Sequence, residues 1–342
     1  MTTSWVLHVD LDQFIAAVEV LRRPELAGLP VVVGGRGDPS ERGVVSTASY
    51  EAREFGVGSG MPLRVAFRKC PDAVFLAVDA PVYEAASAAV MEVLRSFGNP
   101  VEVLGWDEAF IGVDTDEPQQ LADEIRAAVL EATGLHCSVG IGDNKLRAKI
   151  ATDFGKPRGT FRLTAENWYD VMGDRPTDAL WGIGRKTARR LGALGIRTVR
   201  DLSAADTVWL AGEIGPTMGP WYRRLGRGAD SSPVDATPYV ARGHGRETTF
   251  QQNLTEPAEV EREVRRLAAR VVEDLLEEGR PAVRVGLKIR YAPFETRTRS
   301  LTLPETTDDE STIIEAAVSL LARFDASRAV RLIGVRAEMA GP

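Results

Sequence analysis

Two acidic clusters are the residues here whose type and spacing could do chemistry. Asp10 and Asp12 close the apolar run Trp5 to Val9, and Asp107 and Glu108 follow Val101 to Leu104. Each run reads as a strand, so each cluster sits at a strand end. Were the two strands to pair side by side, their carboxylates would share one pocket. Like charges a few ångströms apart repel strongly, and cations must neutralise them. Hard oxygen donors select Mg²⁺ or Mn²⁺, and Mg²⁺ commonly takes one or two carboxylates plus substrate phosphates. The chemistry to expect is metal-assisted phosphoryl or nucleotidyl transfer. An isolated Asp-x-Asp or Asp-Glu pair more often marks a solvated turn, so the reading depends on what accompanies it.

Bases accompany it. Arg53, Lys149 and Lys156 stand out in the N-terminal half. Tyr50 and Arg53, three apart on one helix face, can present a phenol and a guanidinium to a polyphosphate. Lys156 precedes Pro157, at a helix end from which its charge can reach into a cleft. Further on, Gly182-Ile183-Gly184-Arg185-Lys186 lies between two expected short helices. Glycines there let backbone N–H groups approach a phosphate, and Arg185 and Lys186 open the second helix, the pattern of a helix-hairpin-helix DNA clamp. Near the C-terminus, Val283, Val285, Leu287 and Ile289 alternate with Arg284, Gly286, Lys288 and Arg290. A period of two puts the bases on one sheet face and the apolar set on the other. Arg297 and Arg299 extend the basic surface on the next strand, although Leu301 and Leu303 blur the alternation. Arg36, in the turn-rich loop 34–40, is a further candidate for contact with DNA.

The elements that must position these groups follow from the pattern. Residues 4–12 form a strand, 14–21 a helix, 30–34 and 44–47 short strands, and 50–55 a helix. Helix 81–97 precedes strands 101–104 and 110–113, helix 117–133, strand 138–141 and helix 145–154. Strands alternating with helices on one side suggest an antiparallel or mixed sheet, an α+β domain. Residues 166–230 change to short helices with Gly turns and many Arg. Residues 231–242, with two prolines and no apolar period, read as an extended linker. The last hundred or so residues give strand, helix 256–278, strands 283–291 and 295–303, helix 310–324 and strand 329–338, a split β-α-β-β-α-β domain.

Composition agrees with a folded, multidomain, cytoplasmic protein. The chain has 342 residues, 44% hydrophobic and 27% charged, enough for two to four domains. It has no apolar run long enough to span a membrane and no secretory leader pattern. Cys70 and Cys137 alone exclude a disulfide scaffold or a cysteine zinc site. A net charge of −7 argues weakly against nucleic acid, but the acids crowd into helices such as 256–278 while the bases concentrate elsewhere.

Together the motifs resemble a Y-family DNA polymerase of the DinB, or polymerase IV, type over essentially the whole chain. The resemblance rests on His8 to Asp12 (HVDLD), Thr47 to Arg53 (TASYEAR), Gly56 to Pro62 (GVGSGMP), Asp107-Glu108-Ala109 and Ser138 to Lys156 (SVGIGDNKLRAKIATDFGK). It implies a right-hand polymerase: a ferredoxin-like palm (1–17 and 78–165), small fingers (18–77), a helical thumb with the helix-hairpin-helix (166–232), a linker (233–242) and a DNA-binding little finger (243–339). By resemblance, Asp10 and Asp107 hold two Mg²⁺ ions, replaceable by Mn²⁺, and Glu108 assists the metal at the primer 3′-OH. The Leu11 carbonyl completes one coordination sphere, and Thr47, Tyr50, Arg53 and Lys156 cradle the triphosphate. The implied activity is low-fidelity, translesion addition of dNTPs to primer–template DNA by a monomer, without proofreading since no exonuclease motif is visible.

Two departures from the family pattern stand out. Trp106 replaces the usual small or polar residue before Asp107-Glu108 and leaves the ligands intact. Ile15, after Phe14 at the nucleotide site, replaces the usual aromatic steric gate, which implies use of rNTPs as well. The chain also stops at Ala340-Gly341-Pro342 without the family's clamp-binding peptide, so weak clamp binding and distributive synthesis are expected. A nucleotide cyclase could set two carboxylates on a similar sheet but needs neither a hairpin clamp nor a basic sheet. An inactive scaffold would have lost a carboxylate, yet all three are present.

Overall fold

The computed structural model describes residues 3–341. Two compact units form, one containing residues up to 38 together with 43–237, the other residues 39–42 and 238 onward.

The first unit begins with β1 (Ser4–Leu11), α1 (Phe14–Arg22), β2 (Val31–Val33), β3 (Thr47–Ala48), α2 (Tyr50–Glu54), α3 (Leu63–Lys69) and β4 (Val74–Leu76). It continues through α4 (Ala80–Ser96), β5 (Val101–Val103), β6 (Glu108–Asp114), α5 (Pro118–Thr133), β7 (Cys137–Gly142), α6 (Lys145–Gly155) and β8 (Thr160–Leu163). Five strands make a mixed sheet in the order β5-β6-β1-β7-β8, with only β7 and β8 parallel. Leu7, Val9 and Leu11 point to one face, where Tyr83, Val90 and Leu94 of α4 and Ile125 and Val129 of α5 complete the core. The opposite face receives α6, so helices cover both faces rather than the one side expected. The cause is local. A Cβ on Gly140 would stand 2.0 Å from the Ala148 carbonyl oxygen, and one on Gly142 2.4 Å from the Ala148 nitrogen. Only glycine lets α6 lie that close to β7.

A smaller sheet, β3-β2-β4, has its own core of Val32, Ala48, Ala52, Leu63 and Ala66. The strand expected at 44–47 starts three residues later; Val44 makes only a single bridge to Pro62. Elements α3, β4 and β8, of seven, three and four residues, had no clear sequence signal, because each covers no more than about two periods.

Helices α7 (Trp168–Met172), α8 (Arg185–Ala193), α9 (Val199–Ala204), α10 (Thr207–Ile214) and α11 (Met218–Gly226) gather around Trp168, Leu191, Leu202 and Leu210. The first arm of the expected hairpin is a three-residue 3₁₀ turn, Thr177–Ala179. Gly182 has a φ of 96°, and a Cβ there would meet Trp221 at 2.8 Å. Both constraints require glycine.

Chain 231–237 contains no regular element but is tied to the large sheet. Lys145 Nζ donates to both Glu102 oxygens at 2.7 and 2.6 Å and to the Pro233 carbonyl at 3.1 Å. Glu102 also accepts from the Asp235 N–H at 2.8 Å. The first half of the expected linker is therefore anchored. Lys145 and Glu102 side chains are 9% and 21% exposed, and removing one partner strands the other's charge. Lys145→Met should cost about 2–3 kcal/mol, at or just below the range for breaking a buried pair. Urea unfolding measures this; an unchanged midpoint would show that the pair does not hold the linker.

The second unit contains β9 (Gly243–Leu254), α12 (Pro257–Glu278), β10 (Ala282–Tyr291), β11 (Thr296–Thr307), α13 (Glu310–Ser319) and β12 (Val330–Met339). The expected β-α-β-β-α-β order forms an antiparallel sheet, β11-β10-β12-β9, with Val264, Leu267 and Val271 of α12 and Ile313 and Ala317 of α13 in its core. Arg284, Lys288 and Arg290 share the open face with Thr302, Thr298 and Thr296 opposite them. Arg297 and Arg299 do not. They stand opposite Ile289 and Leu287, on the helix-bearing face, where the Arg299 guanidinium lies 5.7 Å from the Phe324 ring centre. Directly paired residues share a face, and 297, 299, 301 and 303 have the phase of the core-facing leucines. Arg336, opposite Gly286, joins the open face instead, while Glu247, 2.7 Å from Lys288 Nζ, offsets part of its charge. Among the described residues no helix is long and apolar enough to cross a membrane.

Candidate active site

The antiparallel β1–β6 ladder puts Asp10 directly opposite Glu108. One residue earlier, the Asp107 carbonyl accepts the Leu11 N–H at 2.8 Å, which holds Asp107 beside the same strand end. The Leu11 side chain is buried in the core. All three carboxylates thus meet at one edge, but through β6, which Glu108 opens, and not through the expected pairing of the 101–104 run, whose strand β5 lies on the far side of β6 from β1.

Two ammonium groups neutralise this edge. Lys156, at the C-terminal end of α6, donates to Asp10 Oδ1 at 2.6 Å. Lys149, two turns earlier on α6, bonds Glu108 Oε2. Burial pushes the Asp10 and Asp107 carboxyls above their usual range, against Lys156 for Asp10 and with help from the Glu108 charge for Asp107. Glu108 goes the other way, down to about 2, because His8 and Lys149 hydrogen-bond its carboxylate. Half-buried oxygen anions that already hold ammonium groups suit a hard divalent cation. His8, Asp10 and Glu108 also bring ligand atoms within 4.8 Å of one another.

Asp12 is not part of this cluster. It is 3% exposed and accepts from Tyr50 Oη at 2.8 Å, Ser138 Oγ at 3.0 Å and the Arg158 N–H at 2.8 Å. It ties β1 to α2 and β7. Burial and this bond raise the Tyr50 pKa, so the phenol stays a donor. Arg53 stacks on the Tyr50 ring at 5.0 Å and donates to the Ala48 carbonyl at 3.0 Å. Thr47, which starts β3, is partly buried. The structure therefore gathers Tyr50 and Arg53 on one short helix next to β1 and sets Lys156 on Asp10.

The sequence profile described as the impB/mucB/samB family matches residues 9–153, and that of the family's C-terminal domain matches 241–339. The chain is 48% identical over 340 residues to "DNA polymerase IV 2" of Mycobacterium tuberculosis (strain ATCC 25618 / H37Rv), covering 98% of each. It is 41% identical to "DNA polymerase IV" of Methanoculleus marisnigri (strain ATCC 35101 / DSM 1498 / JR1), covering 98% of this chain and 94% of that one. A solved Y-family DNA polymerase chimera superposes with a TM-score of 0.86 at 27% identity, with 98% of both chains covered. The chain belongs to the DinB-type Y-family DNA polymerases. It is a DNA-directed DNA polymerase.

In this polymerase Asp10, Asp107 and Glu108 all fall inside, and cluster within, the matched N-terminal segment. Phe14 is a correction: it is 2% exposed, packed in the core beneath the sheet, so its side chain cannot touch a nucleotide. Ile15, about 100° further round α1, stays partly exposed. Arg36 is exposed, its backbone bridged to Ala77. Gly184 caps α8, and Arg185 and Lys186 follow it, both exposed. Sequence reasoning assigned nothing to His8 and Thr152, which touch each other at 2.8 Å behind Glu108. The available signal was strand phase, since His8 shares a face with Asp10.

Proposed function

We propose that this polymerase extends a primer 3′-OH on undamaged and damaged templates by two-metal nucleotidyl transfer, using Mg²⁺, without an editing step and as a monomer. The observation that carries the reading is the Asp10–Glu108 cross-strand pair with Asp107 beside it. Residues 1–17 and 78–165 act as palm, 18–77 as fingers, 166–232 as thumb, 233–242 as linker and 243–339 as little finger. Asp10 and Asp107 would hold both cations, with the Leu11 carbonyl completing one shell, and Glu108 would hold the one at the primer terminus. What bound divalent cations supply there is Lewis acidity toward the attacking hydroxyl and the leaving pyrophosphate. Lys156 and Arg53 offer fixed positive charge to the triphosphate, and Tyr50 a phenolic donor. Asp12 keeps Tyr50 in place from below. Ile15 leaves room at the sugar, so rNTPs are accepted besides dNTPs.

Primer extension with Mg²⁺ and four dNTPs tests the activity. Template-dependent elongation supports it, and a product formed without template sinks it.

Grip on DNA belongs to α8 and to the open face of β10. Arg185→Ala with Lys186→Ala should weaken duplex binding regardless of sequence and flatten the salt dependence by about one unit of slope per lost contact. Fluorescence anisotropy across a salt series reads this. An unchanged slope would remove both residues from the interface.

A further inference from the structure

The His8 ring is 1% exposed. Its Nε2 lies 3.2 Å from Glu108 Oε2, and its Nδ1 lies 2.8 Å from Thr152 Oγ1. Phe110, its partner on β6, supports the ring at 4.9 Å between centres. Gly140, its partner on β7, admits Thr152: a Cβ there would fall 2.5 Å from Thr152 Oγ1. The imidazole is thus clamped along its length, with the Nε2 edge presented to one carboxylate.

Packing does not account for this. An apolar ring would fill the space without burying two nitrogens that must both find partners. What remains is a directional hydrogen bond. With the proton on Nε2, the ring donates to Glu108, and the Thr152 hydroxyl gives its one proton to Nδ1 at 2.8 Å in preference to the more distant carbonyls of Ala148 (3.1 Å) and His8 (3.2 Å). The other tautomer turns the Nε2 and Oε2 lone pairs toward each other, bridged only by Lys149, whose Nζ is 3.3 Å from Nε2. Lys149 is a flexible, partly exposed side chain, whereas Thr152 is β-branched, buried and fixed.

We propose that His8 and Thr152 are positioning residues: Thr152 sets the His8 tautomer, and His8 Nε2–H aims the Glu108 carboxylate at the Asp10–Asp107 edge. This rests on the metal assignment of the three carboxylates made above. Hydrogen bonds behind a metal ligand are typically worth about 10–100-fold in metal affinity or activity.

Mn²⁺ binding to the full chain on primer–template DNA, followed by electron paramagnetic resonance, tests it alongside DNA affinity and Tm. His8→Phe should weaken Mn²⁺ binding about tenfold or more, with DNA affinity and Tm near wild type. His8→Gln should recover most of the loss, because its amide nitrogen reaches the Nε2 position. His8→Asn should not, because its amide ends near Nδ1. Thr152→Val should give a smaller fall in the same direction. Equal behaviour of the Gln and Asn variants, or wild-type Mn²⁺ binding by His8→Phe, overturns the proposal. So does directly coordinated nitrogen in the pulsed spectrum of the wild type, which would make His8 a ligand. Should His8→Phe not fold, the Gln–Asn contrast decides alone. Glu108→Gln separates the two readings. If it binds Mn²⁺ like wild type, the metal assignment fails and the positioning role falls with it. If it loses binding while His8→Phe does not, only the positioning role fails.

Discussion

Asp107→Ala should abolish nucleotide addition and leave primer–template affinity within a few-fold of wild type. Asp107 stands at the sheet edge where Asp10 and Glu108 converge, and its raised pKa reflects an anion that burial and the neighbouring Glu108 make unstable. Alanine relieves that repulsion, so the fold should not suffer. It also removes an oxygen donor from a site that has few. Metal ions contribute several kcal/mol of charge stabilisation in such reactions, and about 4 kcal/mol corresponds to roughly a thousandfold in rate. The bases expected to grip DNA lie on α8 and β10, away in sequence and in separate elements. Single-turnover extension reads the rate and anisotropy reads the affinity. Polymerisation within a few-fold of wild type, with DNA bound normally, would mean that Asp107 holds no essential cation.

The second large effect concerns the sugar. This polymerase should use ribonucleotides far better than relatives with an aromatic gate. An aromatic ring beneath the sugar occupies the volume that a 2′-OH needs, and Ile15 is shorter and not planar. Phe14 cannot substitute, because it is already committed to the core. A pocket that does not clash rejects an added hydroxyl by about 10² at most. Ile15→Phe should restore discrimination with little change in dNTP use. The ratio of kcat/KM for dNTP over rNTP, measured for both proteins, decides the matter. A wild type that already discriminates by several orders of magnitude, unaltered by Ile15→Phe, would show that Ile15 is not the gate.

Strong local patterns made much of this molecule readable in advance. The two acidic strand ends, helix α6 with Lys149 and Lys156, and the C-terminal β-α-β-β-α-β order could all be placed from periodicity and residue type. The Gly182-Ile183-Gly184 turn was legible because only glycine tolerates its φ and its approach to Trp221.

What the residues could not state by themselves was phase and company across strands. Arg297 and Arg299 read as an extension of the basic face until register set them opposite Ile289 and Leu287. Asp12 looks as acidic as Asp10, but it lies one residue past the end of β1, in the turn into α1, where hydrogen bonds with Tyr50 and Ser138 take it up. His8 and Thr152 are 144 residues apart. They meet because Gly140 and Gly142 let α6 settle onto the sheet. Chemical type and local period are properties of a segment, and the sequence alone determined those: carboxylates at strand ends, bases on α6, a glycine-bounded turn. Which carboxylates converge, which arginines share a face and which side chain stands behind Glu108 depend on pairing between distant segments. Packing closed those contacts, and so the tertiary structure decided them.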